Sequence, residues 1–136
     1  MIVIYALAKY LAYSMWCYVG VRLVQPVAAN LATAGRFGAT RWLIGLAVGL
    51  AVFFFVGPIN EADAARTYFV VYTPLRAIEW TIMALLISHK ALEGSRPVAK
   101  VSLPLWCAGG MVVSFLTDLL SPEGLQGRFC IGRCLC

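Results

Sequence analysis

A chain of 136 residues that is 62% hydrophobic and only 12% charged, with a mean hydropathy of +0.84, lies far from soluble domains, which run at about 45–50% apolar and about 25% charged. Its 11 basic against 6 acidic residues give a net charge of +5. The Lys and Arg residues are scattered through short connections between apolar runs, which argues against nucleic acid and for membrane topology and anionic lipid headgroups.

A bilayer core of about 30 Å takes about 20 mostly apolar helical residues, and four stretches qualify. The first runs from about Ile2 to Val24, is interrupted by Lys9 and is closed by Arg22, Gln25 and Pro26. No basic stretch precedes its apolar run, so it reads as a retained span rather than a secretory signal. The second, about Arg41 to Gly57, stops at Pro58. The third lies between about Tyr68 and Leu92 and contains Pro74, which leaves two starting points: near Tyr68, or at Pro74 itself with Thr73 as cap. The fourth, about Val101 to Leu120, ends at Ser121-Pro122. A proline just past an apolar run stops a helix because it donates no backbone hydrogen bond and disfavours helix in the residue before it.

Strand-like alternation is absent, and a lone sheet would leave backbone groups unpaired in lipid. The expected fold is therefore an all-α integral membrane protein, a compact bundle of about four transmembrane helices over residues 1–120 with a short cysteine-containing tail over 121–136. With four spans, one side carries or adjoins Arg22, Arg36, Arg41, Lys90, Arg96 and Lys100, and the other Arg66, Arg128 and Arg133. The positive-inside rule then puts both termini on the non-cytoplasmic side.

Charges within the hydrocarbon are the sharpest signal, because each costs about 3 kcal/mol on insertion scales unless paired or hydrated. Arg76 and Glu79 stand at i, i+3 and can share a helix face. Lys9 lies about 10–13 Å into its helix at 1.5 Å per residue, level with Arg76, and Asp118 falls in the same half. One reading is a buried cluster of Lys9, Arg76, Glu79 and Asp118 that serves a proton or ion path, or holds an anionic headgroup or a quinone-like head. The other is a network that only keeps helices in register, or an Arg and a Lys that snorkel to the interface.

Gly45 and Gly49 form a GxxxG, and Gly110 with Ser114 a small-xxx-small pair, so the second and fourth helices each have a face that another backbone could approach. Tyr5, Tyr10, Tyr13, Trp16, Tyr18, Trp42 and Trp106 fit interfacial anchoring and packing. Cys17 and Cys107 fall at similar depths and read as small apolar fillers. In the tail, Cys130, Cys134 and Cys136 form C-x3-C-x-C, open to a disulfide, a soft metal or lipidation. His89 could ligate a pigment or haem, but its charged helix-end setting favours a solvated residue.

Nucleotide-binding glycine motifs, catalytic carboxylate pairs and nucleophile triads are absent, so no enzyme is expected. The leading expectation is a small structural or accessory subunit of a larger membrane complex, respiratory or photosynthetic, docking on other subunits through its small-residue faces, with bound lipid and room for a pigment or quinone. The alternatives are a homo-oligomeric transporter or ion channel using Glu79 with Arg76 and Lys9, and a metal- or redox-handling protein using the cysteine tail.

Overall fold

The structure, a computed structural model, describes residues 2–24, 26, 29–56, 64–92 and 102–121. The cysteine tail and its three thiols lie outside the described residues. Among the described residues there are four α-helices and no strand: α1 (Ile2–Val24), α2 (Leu31–Val56), α3 (Ala64–Leu92) and α4 (Ser102–Leu119). At 1.5 Å per residue they run from about 27 Å for α4 to about 44 Å for α3. Two stretches, Leu31–Phe55 and Arg66–His89, are long and apolar enough to cross a membrane, and α4 adds a shorter apolar one, Leu103–Leu119.

Two helix boundaries differ from the hydropathy reading. Helix α2 begins ten residues before Arg41 because Asn30 caps it: its Oδ1 accepts the Thr33 amide at 2.7 Å, and its carbonyl accepts that of Ala34 at 3.0 Å. Hydropathy undervalued the segment from Leu31 to Thr40, whose small residues are helix-compatible without being strongly apolar. Helix α3 runs unbroken through Pro74, which is exposed on its surface. This decides between the two starting points, and it makes Arg76 a mid-helix residue.

Each helix touches its neighbours in chain order, and α4 closes the ring against α1; α1 and α3 make the short diagonal. Inward stripes follow the helical period: Tyr5, Lys9, Tyr13, Cys17 and Val21 on α1, and Tyr68, Tyr72, Arg76, Trp80, Met83 and Ile87 on α3. The backbones of α1 and α2 come close where Gly38 faces Ser14. A Cβ at Gly38 would lie 2.8 Å from Ser14 Cα and 2.9 Å from Ser14 N, so only glycine permits this crossing.

On α1 and α4 a reciprocal pair of indoles locks the contact. Trp16 Nε1 donates to the Trp106 carbonyl at 3.0 Å, and Trp106 Nε1 donates to the Trp16 carbonyl at 2.9 Å. Each ring lies where a side chain would otherwise be: Trp106 over Gly20, and Trp16 over Gly109.

The bundle is apolar outside and charged inside. Outward residues of α1 are Val3, Ile4, Leu7, Leu11, Met15, Val19 and Leu23, and α2 ends in exposed Phe53, Phe54 and Phe55. Lys9, Arg41, Arg76, Glu79, Ser114, Thr117 and Asp118 are all buried. This inverts the ordinary soluble pattern, in which charged side chains are almost never fully buried and contiguous apolar patches stay small.

Candidate functional site

Asp118 stands one residue from the end of α4 and gathers donors from two other helices. Its Oδ1 accepts Lys9 Nζ at 2.6 Å and the Tyr5 hydroxyl at 3.5 Å; its Oδ2 accepts Arg76 Nη2 at 2.8 Å and the Tyr68 hydroxyl at 2.5 Å. Lys9 also donates to the Tyr5 hydroxyl at 3.0 Å. Arg76 passes the network inward, because its Nη1 reaches Glu79 Oε2 at 3.0 Å, one turn along the same helix. The same Glu79 oxygen accepts Arg41 Nη2 from α2 at 2.6 Å.

Lys9, Asp118, Arg76, Glu79 and Arg41 thus form one unbroken run of ion pairs to which all four helices contribute. Arg41 is its innermost member, at 0% exposure, with Glu79 at 1%. The Arg41 guanidinium carbon sits 4.8 Å from the Tyr13 ring centroid and 5.0 Å from that of Trp80, so two aromatic faces supply the attraction that water would otherwise provide. Its Nη2 also spans the long diagonal of the bundle to Ser114 Oγ at 3.2 Å, an oxygen that accepts Trp80 Nε1 at 3.0 Å.

The network holds three cations and two carboxylates, so it carries one surplus positive charge with both acids ionised. Beyond Arg41 the polar run ends. Tyr13, Cys17, Val21, Val24, Phe37, Trp80, Met83, Ile87 and Trp106 form an apolar core through that half of the bundle. At the other end Val52, Tyr68 and Tyr72 pack together near Asp118 and Lys9. Buried charge therefore runs from the part nearer the Ile2 end of α1 to about the middle of α2 and α3, while Arg22 and Arg36 are exposed toward the other end.

No protein-family model, no curated protein and no solved structure matches this chain. Its chemistry is therefore argued from its own residues.

Lys9, Arg76, Glu79 and Asp118, singled out in the sequence, meet in one site. Arg41, placed by hydropathy at a helix start and counted among loop charges, belongs to the same site. The available signal was its spacing: it lies one turn before Gly45 on the stripe Ala34, Phe37, Gly38, Arg41, Gly45, Gly49, Val52, all facing inward to some degree.

The small-residue faces serve this chain's own side chains. A Cβ on Gly110 would run into the Trp80 ring, and Ser114 bonds the indole of that ring, so the pair is a slot for Trp80. A Cβ on Gly45 would lie 3.0 Å from Arg41 Nη1 and 3.7 Å from Arg76 Nη1, so this glycine makes room where the two guanidinium groups converge. Gly45 is half-buried, and Gly49, one turn on, is buried.

Cys17 is buried and Cys107 half-buried, and both are free thiols. His89 is exposed at the far end of α3, away from the buried ion pairs. Among the described residues no group of three His, Cys, Asp or Glu side chains is placed to hold a metal ion.

Proposed function

We propose that this chain is a four-span integral membrane protein whose work is done by the buried ion-pair run, as a small transporter of ions or protons. The inverted surface supports the membrane part: the outward apolar stripe of α1 and the Phe53–Phe55 end of α2 would form very large exposed patches in water, whereas lipid covers them without cost. Residues 2–24 and 103–119 then span together with the two longer candidates. With Arg41 removed from the loop charges, the balance between the two sides is five against three and still favours non-cytoplasmic termini.

One observation carries the transport reading: five charged side chains from four helices are buried in one connected run centred on Glu79 and Arg76. Intramembrane ionisable residues are costly and mark ion or proton sites by default. The apolar core beyond Arg41 closes the other half, which fits a transporter holding its site toward one side rather than an open channel. Wild-type protein and Glu79→Gln, reconstituted in liposomes, test this with a proton-sensitive dye and a halide electrode. Loss of flux in Glu79→Gln with unchanged helicity and assembly supports the reading, and equal flux in both removes it.

An accessory subunit of a larger membrane complex is the second reading, favoured by the breadth of exposed apolar surface. Its docking surface would be an aromatic edge such as Phe53–Phe55, since Gly45, Gly110 and Ser114 are already committed inside the bundle.

A further inference from the structure

We propose that the place held by the Lys9 ammonium is a seat for an ammonium-class cation, ammonium itself or a small primary alkylammonium, and that Lys9 yields the seat to it. This rests on the transport reading and names the class of cargo.

The two oxygens of Asp118 are divided between helices. Oδ2 takes Arg76 Nη2 at 2.8 Å and the Tyr68 hydroxyl at 2.5 Å, both from α3, whereas Oδ1 takes Lys9 Nζ at 2.6 Å and the Tyr5 hydroxyl at 3.5 Å, both from α1. The α3 side therefore holds the carboxylate in place whether or not the α1 side is filled. On the α1 side Lys9 Nζ donates to Asp118 Oδ1 and to the Tyr5 hydroxyl, the latter at 3.0 Å, and lies 5.3 Å from the Tyr5 ring centroid. A carboxylate, a phenol oxygen and an aromatic face together recognise a cation that carries N–H groups. Hard metal cations take about six oxygen ligands, and this seat offers two. Its size is that of its occupant, an ammonium group with the methylene next to it, which is the size of methylammonium.

Charge and fastening single out Lys9 as the replaceable member of the run. Arg41, Arg76, Glu79 and Asp118 sum to zero, so they stay balanced when the ammonium leaves, and an incoming monovalent cation restores the same surplus. Arg41 is fastened by Glu79, Ser114 and two rings, and Arg76 bridges both carboxylates, but Lys9 has a single ion pair. The Lys9 side chain is 7% exposed and that of Asp118 6%, against 2% or less for the other three. Helical side chains lean toward the N-terminus of their helix, and the bond from Lys9 back to Tyr5 runs that way. The lysine stem can thus swing toward the Ile2 end of α1 and carry its charge to the interface.

The experiment follows thermal unfolding of detergent-solubilised full-length protein in methylammonium chloride, sodium chloride and tetramethylammonium chloride at equal ionic strength. An occupant of the folded state raises Tm with its concentration. Lys9→Ala empties the seat and leaves the other four charges balanced, so it should fold, and it should melt several degrees higher in methylammonium, in a saturable way. Tetramethylammonium, which has no N–H, should not reproduce the shift, and adding Tyr5→Phe to Lys9→Ala should weaken it. Wild type should respond only at several-fold higher concentration, because its tethered ammonium competes. Wild-type liposomes, which need no variant, should take up labelled methylammonium saturably at mildly acidic pH. Equal melts of Lys9→Ala in all three salts would overturn the seat, and a shift in Lys9→Ala with none in wild type at any concentration would overturn the yielding of Lys9. Proton flux that depends on Glu79 without methylammonium uptake overturns the cargo and leaves transport standing. Methylammonium shifts in both proteins with no flux of any ion leave the seat standing and remove transport.

Discussion

Asp118→Asn is the most informative single change to the stability of this bundle. The wild-type carboxylate accepts Lys9 at 2.6 Å and Arg76 at 2.8 Å, with both Tyr5 and Tyr68 as further donors. The substitution preserves shape but takes the network from a surplus of one positive charge to two, with Lys9 and Arg76 both facing a neutral amide. Removing one partner from a buried ion pair costs about 3–5 kcal/mol. Set against a whole-domain stability of about 5–15 kcal/mol, that is about a fifth of the total or more. Lys9→Met alone should cost about 1–2 kcal/mol, because Asp118 keeps Arg76 and the tyrosines while one ion pair is lost. The double variant returns the charge count to +1 and should be less destabilised than the sum of the two by about 1–3 kcal/mol. Denaturant titration in mixed micelles, followed by the fluorescence of buried Trp80 and Trp106, measures all three. A cost below about 1 kcal/mol for Asp118→Asn, or strict additivity with Lys9→Met, would refute the claim that Asp118 anchors this network.

Packing predictions follow from the glycine and indole contacts. Gly38→Leu drives a side chain into the Ser14 backbone and should destabilise the α1–α2 pair by at least about 1–3 kcal/mol, read in the same titration. Gly35→Ala, three residues earlier, meets only the Tyr10 hydroxyl at 3.0 Å and should be near neutral. Trp16→Phe and Trp106→Phe each remove one indole donor across α1 and α4 and should cost about 1 kcal/mol apiece beyond the lost ring area. Because the two indoles bond each other's carbonyls, their double variant should depart from additivity. Strict additivity would show that the two bonds act independently.

How much was legible depends on the range of the interaction. Composition and four apolar runs were enough to expect a helical bundle, because helix length and apolarity are properties of contiguous sequence. The pairing of Arg76 with Glu79 was legible for the same reason, since i, i+3 neighbours share a face whatever surrounds them. Lys9 and Asp118 came into view through depth alone, as charges expected in the same half of the bundle. Arg41 was hidden by its neighbourhood: Arg36 and Thr40 before it look like a loop, and only the Asn30 cap extends α2 back across them.

The sequence by itself determined an all-helical, strongly apolar chain with few charges, several of them set inside apolar runs. Local periodicity carries that information without any knowledge of neighbours. Only the tertiary structure decided what the special residues face. Which side chain fills the space above a small residue depends on helix rotation and crossing, and these are set by contacts between segments far apart in the chain. So Gly110 and Ser114 became a slot for Trp80, Gly45 became the residue that two guanidinium groups crowd, and Arg41 closed a buried network that the order of residues could only half describe.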